Sequence, residues 1–327
     1  MNLYDLNHVE VSWRTAHIPK KSGGVRELTI PNDALKEQQR EVLYYLYSQM
    51  WAGNIKVSSC AHGFLPGKDC KSAVLVHSRK ARCMVCTDIT GFFDNCSSDL
   101  ARAILLDSGI APCYVDAIIR DCAYEGHFPQ GSPTSPMLTN ILMFDADNMI
   151  AAYAKKHGFV YTRYADDMQF SLERVTSKTE RMLRRTKEAG SHNPYVWFLH
   201  GVDKILKEAT GLQLNHKKDH IYFNKSVAPQ QVLGIVTRQD GFGYNATRKL
   251  RKRARAMACN LYYKVLVTQQ GRIDYDDWHV WSVLKGLVEY SNSIRRLSDG
   301  KHSSFDPCVQ QKYYQPLEAH FAAARNV

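Results

Sequence analysis

The stretch from Tyr161 to Ser171, YTRYADDMQFS, sets two aspartates side by side inside an apolar and aromatic run. Consecutive residues of a straight strand point to opposite faces of its sheet. If Asp166 and Asp167 serve one site, the chain must bend between them, with strand chemistry on either side. A second carboxylate has a similar setting. In ARCMVCTDITGFFDN, residues 81–95, a buried strand is expected to end at Asp88 and break at Gly91. On neighbouring strands, Asp88 and the pair would form a three-carboxylate cluster, which is costly unless a cation neutralises it. Oxygen donors with room for waters and phosphate suit Mg²⁺. Two such ions about 4 Å apart clamp the attacking and leaving oxygens of phosphoryl transfer. From these fragments alone, an uncompensated surface cluster is as good a reading.

Hydrophobic periodicity and turn residues supply the frame around these positions. HIPKKSGGVRELTIPN reads as two short strands about a turn at Ser22 to Gly24, followed by a helix over Asp33 to Trp51 and a loop containing AHGFLPGKDC. Helices are expected over Ser98 to Ser108 and Ala111 to Tyr124. FPQGSPTSPMLTNILMFDADNMIAAYAKKHG reads as a loop feeding one long helix. Residues 177–210 look helical with a break at GSHNPY, and GLQLNHKKDHIYF and QQVLGIVTRQDGFGY give further strands. The remainder is mostly helix. The order predicts an α+β chain with an antiparallel centre.

Charge then narrows the class of partner. With 43 basic and 32 acidic residues the net charge is +11, which favours a polyanion. Ala246 to Lys264 holds seven basic residues and no acidic one, and Leu250, Ala254, Met257 and Leu261 recur at helical spacing. That pattern predicts a helix with one apolar stripe and a phosphate-tracking remainder, a merely solvated face being the plainer alternative. Nine cysteines at irregular spacing do not form a disulfide framework. Cys83 and Cys86 make one CxxC with no second half for a zinc site, so a buried strand is the better reading. No apolar run reaches about 18 residues and no signal peptide is visible, so a cytoplasmic protein with no membrane partner is expected.

Taken together, KSGGVR, AHGF, DITGFFD, QGSPTSPMLTN, YADD, GLQLNHKK and VLG resemble, in order and approximate spacing, the blocks of reverse transcriptases of the bacterial retroelement branch, including retrons and group II intron enzymes. The resemblance spans about Ile18 to Tyr263. It implies a right-hand polymerase (fingers, palm, thumb) with a ferredoxin-like antiparallel palm and a helical thumb. Fingers would occupy 1–80, the palm 81–235 with interleaved fingers helices and a candidate insertion at 177–210, and the thumb 236–327.

By position, the resemblance makes Asp88 the first-strand metal ligand with the Ile89 carbonyl as a further ligand. Asp166 would be the ligand shared between two Mg²⁺ ions at a hairpin turn, and Asp167 the supporting one. Phe93 would crowd a nucleotide 2′-OH and so favour deoxynucleotides, the hydroxyl being what separates the two sugars. Arg26 and Lys21 match positions that grip the incoming triphosphate. Gln130 and Gly131 open the loop lying against the nascent base pair. Lys218, with Lys217 as its rival, matches a proton donor to leaving pyrophosphate. Val232, Leu233 and Gly234 would form the primer grip, and Arg248, Lys249, Arg251, Lys252 and Arg255 would hold the duplex by its phosphates.

The function implied is RNA-directed DNA polymerase, taking dNTPs and an RNA template (a dedicated noncoding RNA) to a DNA product, in a retron or related anti-phage defence system with an effector protein as a further partner. An RNA-dependent RNA polymerase shares the palm chemistry, and a non-catalytic RNA-binding protein on the same scaffold is the non-enzymatic alternative. Retron enzymes pair an Asn-Ala-x-x-His element with a Val-Thr-Gly grip, both tied to the retron's own RNA. Here SAVLVHS, residues 72–78, and VLG stand in those places: Ala73 and His77 look like remnants of the first element, but its Asn and the Thr of the grip are absent. No maturase, endonuclease or ribonuclease H region is recognisable beyond the thumb, which fits a stand-alone enzyme.

Overall fold

A computed structural model describes residues 10–19, 23–77, 81–173, 196–223, 231–237, 244–297 and 307–325. The chain divides into two compact units, with the boundary at Ile221 and Tyr222 and a short return at residues 78–80.

The first unit opens with strands β1 (Trp13–Pro19) and β2 (Val25–Pro31), paired antiparallel from Trp13 opposite Pro31 to Pro19 opposite Val25. Gly23 and Gly24 both have positive φ, 89° and 82°, which glycine adopts without a Cβ penalty. Helix α1 (Asp33–Trp51) follows, its first turn capped by Asn32, whose side chain accepts from the Leu35 amide. Its core face is Leu35, Gln38, Gln39, Val42 and Leu46. A short helix α2 (Cys70–Val76) starts at a reciprocal cap between Asp69 and Ser72.

At the centre is a four-stranded sheet in the order β4 (Val160–Tyr164), β5 (Asp167–Leu172), β3 (Cys83–Asp88), β6 (His220–Phe223). β5 runs antiparallel to both β3 and β4. Both of its faces are covered, so β3 and β5 are buried along nearly their whole length, and the polar members of the alternating β5, Gln169 and Ser171, are buried with the apolar ones. Cys83 and Cys86 are three apart on β3 and face opposite sides, so they do not chelate one ion together. Burial pushes both thiols up to about 12.

Helices α3 (Phe92–Asn95), α4 (Ser98–Asp107) and α5 (Pro112–Cys122) follow β3. The single long helix expected from the sequence is two, α6 (Ser135–Leu142) and α7 (Phe144–Lys156), meeting at Met143, where ψ opens to −2°. The apolar run NILMF carries no breaker residue, so periodicity alone does not reveal this bend. Helix α8 (Val196–Thr210) buries Phe198, Leu199, Val202 and Leu206. Phe198 stacks on Phe159 at 4.3 Å and meets Phe170 edge-on at 5.1 Å. The described part of the candidate insertion at 177–210 is therefore core; residues 174–195 lie outside the described set. Burying one such ring stabilises by about 1.5–3 kcal/mol.

In the second unit, β7 (Gln231–Val232), β8 (Ile235–Thr237) and β9 (Tyr244–Ala246) form a small antiparallel sheet. Helix α9 (Arg248–Tyr262) starts at Thr247, which caps Leu250. It packs through Ala254, Ala258 and Leu261 on Trp281, Leu284 and Val288 of α10 (Tyr275–Arg296) and on Leu317 and Phe321 of α11 (Gln315–Arg325). Among the described residues no helix is long and apolar enough to cross a membrane.

Candidate active site

The bend demanded by the adjacent aspartates is the β4–β5 hairpin. The last pair of its ladder is Tyr164 with Asp167, leaving Ala165 and Asp166 as a two-residue loop. Asp166 is thus in the turn, while Asp167 is already the first residue of β5, one step further into the sheet than a shared turn implies. On its other side Asp167 stands opposite Asp88, the last residue of β3. The Ile89 amide donates to the Asp166 carbonyl at 3.0 Å, tying the turn to the strand end beside it. The three carboxylates singled out by sequence are therefore brought together.

Asp88 is 7% exposed. Lys218 donates from Nζ to both of its carboxylate oxygens, at 2.8 and 2.9 Å. Lys218 sits on a single 3₁₀ turn, His216–Lys218, held by Asp219. Asp219 accepts from Thr87 Oγ1 at 2.6 Å through one oxygen and pairs with His216 Nδ1 at 3.0 Å through the other. Asp219 was not anticipated; its only sequence signal is a carboxylate following the NHKK block. Lys217 is exposed and makes no such contact among those described with Asp88.

Electrostatics mark the cluster as short of positive charge. Burial, then the Asp88 charge, raises the Asp166 carboxyl above its ordinary range, and Lys218 offsets this only in part. Asp167 reaches solvent on one side, yet burial followed by Asp166 and Asp88 pushes it to about 6. Like-charged carboxylates that resist ionising together are the environment a hard dication relieves, and the single charge of the Lys218 ammonium on Asp88 relieves it only in part. The donor set fits a hard dication. Among the described residues, no three His, Cys, Asp or Glu side chains close around a single point as they stand, and Lys218 occupies both carboxylate oxygens of Asp88.

A buried ion pair supports the turn from beneath. Arg163 and Asp147 are both fully buried, with Arg163 Nε and Nη2 donating to Asp147 at 2.9 and 2.7 Å. Arg163 Nη2 also donates to Asn140 Oδ1 at 3.0 Å, and Tyr161 to Asp147 at 2.8 Å. Arg163 Nη1 donates to the Ala165 carbonyl at 3.0 Å. Ala165 has φ +53°, a left-handed conformation costly for a residue with a Cβ, and this bond helps hold it. Sequence reading missed the pair, because parity along β4 does not say that a charge is buried.

Two motif glycines are explained by close approach. A Cβ on Gly63, in AHGF, would lie 2.7 Å from the Ala165 amide nitrogen, so the loop packs backbone to backbone against the β4–β5 turn. One on Gly131 would lie 2.3 Å from the Thr29 carbonyl of β2. Ser132, next to it, donates to Gln39 at 2.9 Å, and Gln39 donates to the Asp121 carbonyl at 2.7 Å, locking this loop to α1 and α5. Gln130 projects from that loop and is exposed.

Phe93 is half-buried on α3, edge-on to the buried Phe92 at 5.3 Å. Arg26 lies on β2 opposite Ile18, and Lys21 lies outside the described residues. In the second unit, Val232 ends β7, and Leu233 and Gly234, φ +48° and +76°, form a two-residue turn into β8. Arg248, Lys249, Arg251, Lys252 and Arg255 are all exposed on α9.

His77 differs from its expected tie to RNA. It is 1% exposed, and its two ring nitrogens meet Ser171 of β5 and Thr162 of β4, each at 2.8 Å. It fastens two palm-sheet strands together, and burial lowers its pKa to about 4. Its surroundings are protein on all sides.

A family model described as reverse transcriptase (RNA-dependent DNA polymerase) matches residues 18–237. The chain is 30% identical over 261 residues to the Retron Mx65 reverse transcriptase of Myxococcus xanthus, covering 74% of this chain and 54% of that protein. It is 28% identical to the Retron Mx162 reverse transcriptase of the same organism, over 77% and 52%. It is 27% identical to the Retron Ec86 reverse transcriptase of Escherichia coli, over 53% and 48%. The chain thus spans about half the length of these relatives. It is also similar in structure to telomerase from Candida albicans in complex with a TWJ fragment of telomeric RNA, at TM-score 0.49 and 12% identity over 98% of this chain and 59% of that one.

Proposed function

Because the chain belongs to the reverse transcriptase (RNA-dependent DNA polymerase) family, we propose that it copies an RNA template into DNA from dNTPs, with Asp88, Asp166 and Asp167 as the catalytic carboxylates. The observation that carries this reading is the meeting of Asp88 with the β4–β5 turn, where burial and then neighbouring carboxylates hold the Asp166 and Asp167 carboxyls above their ordinary range. The cofactor of this reading is Mg²⁺, two ions per site, which the three aspartates and the Ile89 carbonyl would hold. When bound it neutralises the cluster and stabilises charge on the attacking and leaving oxygens.

The chain's own residues supply position and charge. Asp166, fixed in a turn braced by Arg163, aims its carboxylate beside Asp88. Lys218, released from Asp88, carries its ammonium to the leaving pyrophosphate as charge partner and proton donor. Phe93 limits room at the sugar 2′ position. Arg26 and Lys21 hold the triphosphate, and Gln130 and Gly131 border the nascent pair on a loop anchored to the fingers. Val232 to Gly234 form the primer grip, and the exposed cations of α9 hold the duplex by its phosphates. In this reading the first strands and helices are fingers, the central sheet is the palm, and the second unit carries the thumb.

The relatives' names support a retron-type enzyme; with that reading we propose a noncoding RNA as template and, beyond what those names say, a role in anti-phage defence with an effector protein as partner. The test is extension of a DNA primer on an RNA template with Mg²⁺. DNA synthesis with dNTPs that disappears in Asp166→Ala is the expected result. Equal use of ribonucleotides replaces the reading with an RNA-dependent RNA polymerase. No synthesis by either protein leaves an RNA-binding scaffold.

A further inference from the structure

Beside the catalytic turn runs a line of aromatic rings that nothing above uses. Tyr44, Tyr47 and Trp51 recur at i, i+3 and i+7 on α1, away from the core face of that helix. Tyr44 is 62% exposed and Trp51 69%. Tyr47 and Trp51 touch, ring centroids 5.8 Å apart, and the Tyr47 hydroxyl donates to the Phe64 carbonyl at 3.4 Å. The Phe64 ring lies 5.9 Å from that of Tyr164, the residue immediately before Ala165 and Asp166. Two ring pairs, Tyr47 with Trp51 and Phe64 with Tyr164, thus lie between the end of α1 and the turn, joined through the Tyr47 hydroxyl and the Phe64 carbonyl.

Phe64 is the telling member. Its φ is +58°, a left-handed conformation that is an outlier for a bulky side chain. The loop around it is rigid on the turn side. The His62 amide donates to the Arg163 carbonyl at 2.8 Å, Asn140 donates to the Gly63 carbonyl at 2.9 Å, and Gly63 packs on Ala165. A glycine at position 64 would relieve the strain. Instead the position carries a phenyl ring that stays 48% exposed, so neither core burial nor backbone ease accounts for it.

We infer that Trp51, Tyr47, Phe64 and Tyr164 form a stacking platform for the unpaired bases of the template strand. The inference rests on the polymerase reading above. Aromatic faces take bases irrespective of sequence, as a polymerase that copies any template requires. Within a duplex the base faces are already stacked on one another, so the strand with faces to offer near the turn is the single-stranded template. The ridge also carries few charges: Arg40, which continues its line at i−4 from Tyr44, is paired with Glu37. It is thus better suited to bases than to phosphates.

The test uses the whole chain and two labelled probes without dNTPs: a primer–template with an unpaired RNA template overhang of about six nucleotides, and the same duplex blunt-ended. Phe64→Gly removes the ring while suiting the backbone, and Trp51→Ala alters a side chain that is mostly in water, so both variants keep the parent's unfolding midpoint to within a few degrees. Each is expected to weaken overhang binding about tenfold and to leave blunt-duplex binding unchanged. Equal weakening on both probes, or none on the overhang, overturns the inference. Primer extension by the parent protein is measured separately, so failure of the platform and failure of the polymerase reading are told apart.

Discussion

Asp147→Asn is the sharpest probe of how the β4–β5 turn is held. The substitution keeps the size and shape of the side chain and removes one charge. Arg163 stays where it was, fully buried, with Asn140 and the Ala165 carbonyl as its remaining acceptors. Burial on its own would lower the Arg163 pKa, but the Asp147 charge and hydrogen bonds outweigh it and keep the guanidinium ionised. Breaking one side of a buried pair costs about 3–5 kcal/mol, because the surviving charge is left uncompensated. For a unit of this size that lowers the unfolding midpoint by about 10 °C. Thermal and urea unfolding followed by circular dichroism measure it. The double variant Asp147→Leu with Arg163→Met removes both charges and is expected to recover much of the loss. A single-variant cost below about 1 kcal/mol, the range of an exposed pair, would refute the claim that this ion pair is a buried brace.

Other outcomes follow from the same geometry. His77 has a folded pKa of about 4 against an ordinary value of 6.5, so its contribution is complete above pH 6.5 and is lost as pH falls toward 4, by about 3 kcal/mol. Asp167, raised to about 6, acts with the opposite sign in the same window, so the quantity to read is the difference in urea-unfolding free energy between parent and His77→Gln across that range. Mg²⁺ binding by calorimetry should weaken as pH drops below about 6, since Asp167 must lose its proton to ligate; affinity flat from pH 7 to 5 removes it from the ligand set. Gly63→Ala should abolish primer extension while the protein still folds, because the added Cβ meets backbone of the turn rather than a side chain that can move. Replacing Arg251 and Lys252 by alanine should reduce the salt dependence of duplex binding by about one unit of log–log slope per lost phosphate contact, equally for all sequences.

How much was readable in the sequence differs by kind of information. The hairpin around YADD, the strand ending at Asp88 and the full extent of α1 follow from local pattern, because alternation, a β-branched and aromatic run, or an asparagine cap act over a few residues. The one-helix reading across Met143 failed for the complementary reason: the bend there has no local breaker and is set by what α6 and α7 pack against. His77 looked like a trace of an RNA-recognition element and proved to be a bolt between two strands, since one side chain's burial depends on everything folded around it.

By itself, the sequence determined which groups the chain owns and the order of its elements, and with them the family. It could place Asp88 and Asp166 in the site because motif spacing carries that information. Only the tertiary structure decided that Asp167 belongs to the strand and Asp166 to the turn, that Lys218 and not Lys217 reaches Asp88, and that Arg163 and Asp147 brace the turn from below. It also decided that Gly63 and Phe64 lie against that turn. Each of these depends on residues far apart in the chain meeting at a few ångströms, where charge, desolvation and backbone clearance act, and no local pattern encodes such a distance.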